Sequence, residues 1–323
     1  MEPALLLAGV TKSFGGMRAV DQLDFEVPRG SLCGVIGPNG AGKTTTIRIV
    51  MSILFPDSGS VSVLGHASAL DAKDRIGYLP EERGLYRKMR VGDFLTYIAR
   101  LKGVADRESK AFITRGLERL GLTDVGKKRC EELSKGMQQK VQIIAATVHR
   151  PDLLILDEPF SGLDPVSTRM LRELILEEHR RGATILFSTH VMPHAEQLCD
   201  RVVMIHKGRK VLDESVGAIR HQYDPRLLEF EPLNPEADLA PLAHVNGVQE
   251  IATEGGVTRL TLAPGCDPAS AIASVTSMVP TARIEVARLR LEDVFVQLVS
   301  ADATAGAAEL RAALRSHETA EAV

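Results

Sequence analysis

The sequence predicts an α/β domain with an inserted helical subdomain, followed by a small α+β domain. Short aliphatic runs, such as 153–156 and 184–187, alternate with helical patterns up to about residue 220, as expected for a parallel sheet with helices between its strands. After residue 225 the pattern changes. We therefore predict one domain at 1–222, a second at 225–300, and a flexible tail at 301–323.

Composition and sequence patterns argue against nucleic-acid binding, membrane spanning, secretion and metal binding by cysteines. The 323 residues carry a net charge of -3, with 44% hydrophobic and 25% charged residues, which is ordinary for a globular protein and offers no broad basic field for nucleic acid. No apolar run approaches the roughly 18 residues of a membrane-spanning helix, and the N-terminus lacks the basic region of a signal peptide. The four cysteines lie far apart without metal-ligand spacing. We therefore expect a cytoplasmic location.

The helical subdomain is predicted from periodicity. Apolar residues recur with the spacing of one helix face at Met137, Val141, Ile144, Ala145 and Val148. This spacing, together with the helical pattern around it, predicts helices over about residues 88–150, inserted between strands of the α/β domain.

The region after residue 225 predicts a ferredoxin-like domain. Its predicted elements are a strand at 227–230, a helix at 235–242, strands at 248–253 and 257–262 around Gly255-Gly256, a helix at 268–278 and a strand at 284–288. This β-α-β-β-α-β order is that of the split ferredoxin-like fold. A last short helix is predicted at 291–298.

A glycine-rich segment carries the first functional motif. It follows a predicted strand and opens a predicted helix, and its residues are Gly37, Pro38, Asn39, Gly40, Ala41, Gly42, Lys43 and Thr44, with Thr45 next. This is the context that a P-loop requires. Glycines let backbone N–H groups surround the β- and γ-phosphates, Lys43 neutralises phosphate oxygens, and the Thr44 hydroxyl reaches Mg²⁺. The motif therefore predicts a nucleoside triphosphate site.

Two acidic residues end an apolar strand further along the chain. Asp157 and Glu158 directly follow the run 153–156. In this arrangement the first carboxylate supports Mg²⁺ and the second lies near the attacking water. Taken alone, the pair also fits a helix N-cap at Asp157 with an exposed Glu158. The neighbouring P-loop favours the catalytic interpretation.

A resemblance to a known family rests on residues between and after these motifs. The segment 133–139, Leu-Ser-Lys-Gly-Met-Gln-Gln, looks like the signature motif of ABC (ATP-binding cassette) ATPases. Ser161 to Asp164 is similar to the D-loop of that family, and His190 at a strand end is similar to its switch histidine. Phe14 matches the position where the family stacks an aromatic ring on adenine, with a buried core phenylalanine as the alternative.

The resemblance implies a composite site for ATP and Mg²⁺. Two such domains would close head to tail around two ATP molecules, so that the signature of one faces the P-loop of the other. The signature residues that would touch the opposing ATP are Ser134, Lys135, Gly136 and Met137. Glu158 would polarise the attacking water, His190 would contact the γ-phosphate, and Asp157 and Thr44 would hold Mg²⁺.

Two departures from the family pattern stand out. Glu81 takes the place of a glutamine, and because a carboxylate is an adequate hard ligand we expect it to hold Mg²⁺ as well. In the signature, Lys135 replaces a usual glycine and Met137 a usual glutamine, while Ser134 and Gly136 remain. An added ammonium beside the opposing γ-phosphate is electrostatically tolerable.

These departures resemble one branch of the family. Together with the run 80–86, Pro-Glu-Glu-Arg-Gly-Leu-Tyr, and the segment 291–295, Leu-Glu-Asp-Val-Phe, they are similar to ATPase subunits of ABC-2 type exporters, including multidrug and sodium-efflux systems. The resemblance implies ATP-powered export through a separate integral membrane permease, with the chain bound peripherally at the cytoplasmic face. A drug, lipid, ion or polysaccharide substrate remains open, as does a homodimer or a heterodimer with a paralogous ATPase.

Two other classes of function compete with this interpretation. The first is a soluble ABC ATPase that acts on DNA or ribosomes. Members of that class carry a long coiled coil between P-loop and signature, cysteine zinc modules, or two cassettes, and the sequence has none of these. The second is a nucleotide-binding regulator without turnover, which would lack Glu158 or His190. We therefore predict an ATPase without a nucleic-acid partner.

Overall fold

The computed structural model describes residues 2–82, 84–222, 227–254, 257–287 and 290–302. The chain divides into two compact units: unit 1 comprises Met1–Val216 and Phe295–Val323, and unit 2 comprises Gly217–Val294. The domain bounds 1–222 and 225–300 stay a prediction. Residues 303–323, which hold most of the predicted tail, lie outside the described residues.

Unit 1 is built from two sheets and the helices around them. Its strands are β1 (Leu5–Phe14), β2 (Met17–Val27), β3 (Leu32–Ile36), β4 (Ser58–Val63), β5 (Ile76–Leu79), β6 (Leu153–Asp157), β7 (Thr184–Thr189), β8 (Arg201–His206) and β9 (Arg209–Ser215). Its helices are α1 (Lys43–Val50), α2 (Val91–Leu101), α3 (Asp106–Arg119), α4 (Lys135–Thr147), α5 (Pro165–Arg180) and α6 (Met192–Leu198). The helix α7 (Val216–Gln222) leads into unit 2. No helix in the described part of the chain has the length and apolarity that crossing a membrane requires.

The central sheet positions the predicted motifs. Its strand order is β5-β6-β7-β3-β8-β9, parallel except for β9. The strands β3, β6 and β7 are buried along their whole length, as is typical of parallel strands covered on both faces. Ile36 pairs with Thr189, and Asp157 pairs with Ser188. The segments that follow these strands therefore begin at the same edge of the sheet.

A second, antiparallel sheet of order β2-β1-β4 packs in the same hydrophobic core. The core joins aliphatic residues of both sheets and of α1, among them Leu5, Leu7, Val20, Leu23, Ile47, Val50 and Val203. This packing holds the β1–β2 hairpin, with Phe14 at the end of β1, beside the first helix after the P-loop.

The helices α2, α3 and α4 lie between β5 and β6 in the chain. The periodic residues of α4 face inward: Val141 and Ile144 are fully buried, and Met137 is half-buried. A Cβ at Gly116 of α3 would come within 3.2 Å of the Ile144 side chain. Glycine thus permits the close approach of α3 to α4.

Unit 2 contains a four-stranded antiparallel sheet. Its elements are β10 (Leu227–Pro232), β11 (Val248–Glu254), β12 (Val257–Leu262), α8 (Pro268–Met278), β13 (Thr281–Val286) and the start of α9 (Leu291–Asp302). The strand order is β11-β12-β10-β13, and Leu228, Phe230, Leu260 and Val275 form its buried core. The predicted fold class, an α/β domain with a small α+β domain, is confirmed.

Three details of the predicted small domain differ in the structure. The predicted helix at 235–242 is wrong, because only a short 3-10 helix forms at Ala240–His244. Pro241 lacks the N–H that an α-helix needs, and the side chains of Asn234 and Asp238 accept backbone N–H bonds instead. The last strand begins and ends earlier than predicted, and α9 is longer. Gly255 and Gly256 lie outside the described residues.

Candidate functional site

A cavity of about 790 Å³ lies where the P-loop, the acidic pair and His190 meet. Predicted site residues form most of its lining: Phe14, Asn39, Gly40, Gly42, Lys43, Thr44, Thr45, Glu81, Glu158, Ser161 and His190. Residues that the sequence did not single out complete it: Met17, Arg18, Ala19 and Lys207. Gly37, Pro38 and Ala41 belong to the same loop without lining the cavity, and Asp157 is buried beside it.

The P-loop has a conformation that only glycine adopts without strain. Gly37 has φ +155° and Gly42 has φ +105°. A Cβ would lie 2.1 Å from the Ile205 carbonyl oxygen at Gly37, and 2.3 Å from that of Ala19 at Gly42. Because side chains are excluded, the backbone N–H groups at the start of α1 can approach an anion closely.

Lys43 is held inside the loop. Its side chain is buried, and Nζ donates to the carbonyl oxygens of Gly37 at 2.9 Å and Pro38 at 3.2 Å. The same ammonium lies 3.4 Å from Oε1 of Glu158. These contacts fix a buried positive charge between the loop and the acidic pair, where phosphate oxygens can be neutralised.

Asp157, Thr44 and Glu81 form a cluster of oxygen donors. Thr44 Oγ1 lies 3.2 Å from Asp157 Oδ1 and 3.2 Å from Glu81 Oε2. Asp157 is completely buried and accepts a hydrogen bond from the Ser188 hydroxyl. Burial raises the pKa of Asp157 to about 6, against the lowering effect of that hydrogen bond.

This donor cluster fits Mg²⁺. Carboxylate and hydroxyl oxygens are the hard ligands that Mg²⁺ prefers. Within the described ranges, Asp157 Oδ2 is buried without a hydrogen-bond partner, and such an orphaned acceptor suits a cation. The same ranges hold no self-contained group of three His, Cys, Asp or Glu ligands. A cation that keeps several phosphate and water ligands needs no such group.

Glu158 occupies a strained backbone position. Its φ is +48°, which is costly for a non-glycine residue and persists only when the surrounding structure fixes it. Its N–H donates to the Ser188 hydroxyl at 3.1 Å, which holds the strained backbone. Oε1 lies 3.0 Å from His190 Nδ1. The carboxylate therefore lies at the cavity in contact with a histidine and a lysine.

Phe14 lies at the open side of the cavity. It is 47% exposed, and Lys12 Nζ lies 5.7 Å from its ring centroid. The alternative of a buried core phenylalanine is wrong, because the ring is available for stacking on a planar group.

The signature residues lie outside the cavity. Ser134 caps α4, and its hydroxyl accepts from the Met137 N–H at 3.3 Å. Ser134 and Lys135 are exposed, and Gly136 is half-exposed. The α4 N-terminus, with Lys135 beside it, thus presents partial and full positive charge at the surface. This surface can bind an anion that does not come from the cavity of the same chain.

The two D-loop residues Ser161 and Asp164 lie in different parts of the structure. Ser161 lines the cavity, and its N–H donates to the Glu158 carbonyl at 3.2 Å. Asp164 caps α5 instead, accepting from the Ser167 N–H at 2.9 Å. The hydrogen bond from the Ser167 hydroxyl lowers the pKa of Asp164.

Arg18 and Lys207 are the charged lining residues that the sequence did not predict. Arg18 lies on β2, close to Phe14 in the chain, and Lys207 lies in the β8–β9 turn, outside every predicted motif. Only the Lys207-Gly208 dipeptide, a turn signal after an apolar strand, could have indicated a hairpin there.

Comparisons with known proteins identify the family of the chain. The family model described as ABC transporter matches residues 20–161. The chain is 39% identical over 297 residues to the ABC transporter ATP-binding protein YhaQ of Bacillus subtilis, covering 92% of this chain and 99% of that protein. It is 31% identical to the daunorubicin resistance ATP-binding protein DrrA3 of Streptomyces coeruleorubidus, and this match covers 93% of this chain and 97% of that protein.

A solved structure of an ATP-binding subunit of an ABC transporter superposes with a TM-score of 0.64 at 32% identity, covering 68% of this chain and 93% of that one. The cavity is lined by the P-loop, Glu158 and His190, with Asp157 buried beside it, and the sequence similarity extends over almost the whole chain. The chain therefore belongs to the ABC transporter ATP-binding proteins, a family of ATPases.

Proposed function

We propose that the chain hydrolyses ATP with Mg²⁺ to power export through a separate ABC-2 type permease, to which it binds at the cytoplasmic face of the membrane. The similarity to a daunorubicin resistance ATP-binding protein, which spans both units of this chain, supports export. Family membership supports coupling of hydrolysis to transport.

The proposed chemistry assigns a role to each cavity residue. Lys43 and the P-loop N–H groups bind the β- and γ-phosphates, and Phe14 stacks on adenine. Glu158 polarises the attacking water, and His190 contacts the γ-phosphate. The residues that would hold Mg²⁺ are Thr44, Asp157 and Glu81. The cation, when bound, neutralises charge on the phosphate oxygens.

The signature supports a site shared between two chains. Ser134, Lys135, Gly136 and Met137 lie outside the cavity that holds Lys43. Their exposed helix N-terminus suits the γ-phosphate of an ATP bound by another chain. We therefore infer a head-to-tail pair, formed by two copies or by one copy and a paralogue.

The observation that carries the transport proposal is a groove of about 270 Å³ next to the Glu81 loop. Tyr78 and Pro80 line this groove, while Glu81 lines the nucleotide cavity. Leu70 at the groove is 61% exposed, although burial of such a side chain is favourable. One short loop thus joins this partly apolar groove to the nucleotide cavity.

Gln142 supports a protein occupant for the groove. It lies in the groove lining and is only 6% exposed. Its Oε1 has no hydrogen-bond partner among the residues that the structure describes, and a buried, unsatisfied amide is costly. A cytoplasmic segment of the permease with an apolar side chain and a hydrogen-bond donor would satisfy both Leu70 and Gln142.

The test is purification of the tagged chain from gently solubilised native membranes, with mass spectrometry of bound proteins. We expect a polytopic membrane protein with the wild-type chain. Leu70→Asp should reduce its recovery at least about tenfold, as expected for a charge in an apolar contact. Leu233→Asp is the matched control, because Leu233 is 68% exposed and lies in unit 2, outside the groove.

Recovery of ribosomal proteins or DNA-repair factors without a membrane protein would overturn transport and leave the ATPase intact. Equal loss of the membrane protein in both variants would contradict docking at the groove.

A further inference from the structure

Lys207 is a charged residue at the nucleotide cavity without a role in the proposed mechanism. It lies at the turn between β8 and β9, has φ +48°, and lines the cavity. It is exposed, and across the described ranges its ammonium has no hydrogen-bond or ion-pair partner. Its positive charge is therefore available to an anion in the cavity.

The turn that carries Lys207 is fixed to the P-loop. The Gly208 N–H donates to the Ala41 carbonyl at 2.9 Å, and the Gly208 carbonyl accepts from the Asp21 N–H at 2.9 Å. Gly208 has φ +79°, and a Cβ there would lie 2.9 Å from the Ala19 carbonyl oxygen. Contacts with the P-loop and β2 thus hold the Lys207 backbone in place before a nucleotide binds.

Arg18 adds positive charge on the same side of the cavity. Arg18 Nη1 lies 2.9 Å from Asp21 Oδ1, and Arg209 Nη2 lies 2.7 Å from Asp21 Oδ2. The hydrogen bond from Arg209 is the main cause that lowers the pKa of Asp21. One carboxylate thus faces two guanidinium groups, and the cluster keeps a net positive charge beside Lys207.

The position of the turn along the cavity indicates which part of a bound nucleotide lies next to Lys207. A Cβ at Gly42 would lie 3.6 Å from Gly208 Cα, so the turn lies beside the start of α1. Phe14 and Glu158 also line the cavity, and the proposed function assigns them to adenine and to the γ-phosphate end. The turn contacts the P-loop between those ends, beside the α- and β-phosphates of a bound nucleotide. The proposed function gives the β-phosphate to Lys43 and the P-loop N–H groups, which leaves the α-phosphate without a charged partner.

We propose that Lys207 binds the α-phosphate of the nucleotide, with Arg18 strengthening the positive field around it. This assignment rests on the proposed ATP site. It predicts that Lys207 contributes equally to the binding of every adenine nucleotide that has an α-phosphate, because its partner is common to all of them.

The test is competition against a fluorescent ADP analogue, which gives Kd values for ATP, ADP and AMP. Lys207→Gln should weaken all three by a similar factor, roughly fivefold to tenfold, since it removes one charge-assisted contact. Lys207→Arg should stay within about twofold of wild type, because a guanidinium also binds phosphate. Lys110→Gln is the control, since Lys110 is an exposed α3 lysine outside this cavity.

Unchanged affinities in Lys207→Gln would overturn the assignment. A loss confined to ATP, or to ATP and ADP, would also overturn it, because the contact would then be to the γ-phosphate or the β-phosphate. Failure of the wild-type chain to bind ATP would overturn the proposed function and this assignment together, whereas binding by wild type with no effect of Lys207→Gln would overturn the assignment alone.

Discussion

The P-loop side and the signature side of the proposed ATP site are built in opposite ways. On the P-loop side, buried and strained groups converge on one cavity: Asp157 is fully buried, and Glu158 has φ +48°. On the signature side, Ser134 and Lys135 are exposed at a helix N-terminus. Strain and buried charge lower stability, whereas a capped, exposed helix end does not.

The two sides differ in how much of the site a single chain provides. On the P-loop side, the Lys43–Glu158 pair and the oxygen donors Thr44, Asp157 and Glu81 are already in contact within one chain, so we expect one chain to bind the nucleotide. The signature side presents a positive surface outside the cavity of its own chain, and we propose that the phosphate it binds comes from another chain. Substitutions on the two sides should therefore affect different steps.

The largest effect is expected for Glu158→Gln on the P-loop side. The amide keeps the shape of the side chain and cannot accept a proton, so steady-state hydrolysis should fall at least about a hundredfold. ATP binding, measured by fluorescence titration, should persist. Near-normal hydrolysis would remove Glu158 from catalysis.

The second largest effect is expected for Gly136→Asp on the signature side. Gly136→Asp adds an anion to the first turn of α4, where the helix dipole tolerates it, but it would repel an incoming phosphate. We expect hydrolysis to fall by roughly tenfold or more. The Kd of ATP for the isolated chain should change less than about twofold, because Gly136 does not line the cavity. A large increase in that Kd would place Gly136 at the ATP of its own chain.

The third prediction is that burial of the Asp157 carboxylate on the P-loop side lowers the stability of the folded chain. The folded-state pKa of Asp157 is raised from 3.8 to about 6, so the metal-free folded chain binds a proton more tightly than the unfolded chain. Its stability should therefore increase as pH falls through about 6 toward 4. Asp157→Asn should raise the unfolding temperature at neutral pH in EDTA and reduce this pH dependence. An unfolding temperature lowered by Asp157→Asn would contradict the stated cost.

The smallest effect is expected at the edge of the cavity. Phe14→Ala removes a half-exposed ring, so ATP affinity should weaken by about fivefold, close to 1 kcal/mol. The maximal rate of hydrolysis should remain, because the ring is assigned to adenine and not to the reacting phosphate. Isothermal titration with ATP measures the first quantity, and unchanged affinity would remove Phe14 from the site.

Most residues of the P-loop side and of the signature side could be predicted from the sequence, because each motif is a short continuous segment. The P-loop, the acidic pair and His190 each follow a strand, and parallel strands bring such ends together. Arg18 and Lys207 could not be predicted, because they reach the cavity through packing of β2 and the β8–β9 turn against the P-loop. The predicted helix at 235–242 failed because Pro241 and local side-chain hydrogen bonds outweigh the helical pattern.

The shared site can be tested most directly by mixing two impaired variants of the purified chain. Lys43→Ala lacks a working P-loop and Gly136→Asp has an impaired signature, so each alone should hydrolyse ATP at no more than about a tenth of the wild-type rate. A one-to-one mixture should regain about one quarter of the wild-type activity, because half of the randomly formed dimers are mixed and each holds one complete site. A mixture that is no more active than the two variants alone would contradict a site completed by the signature of a second copy.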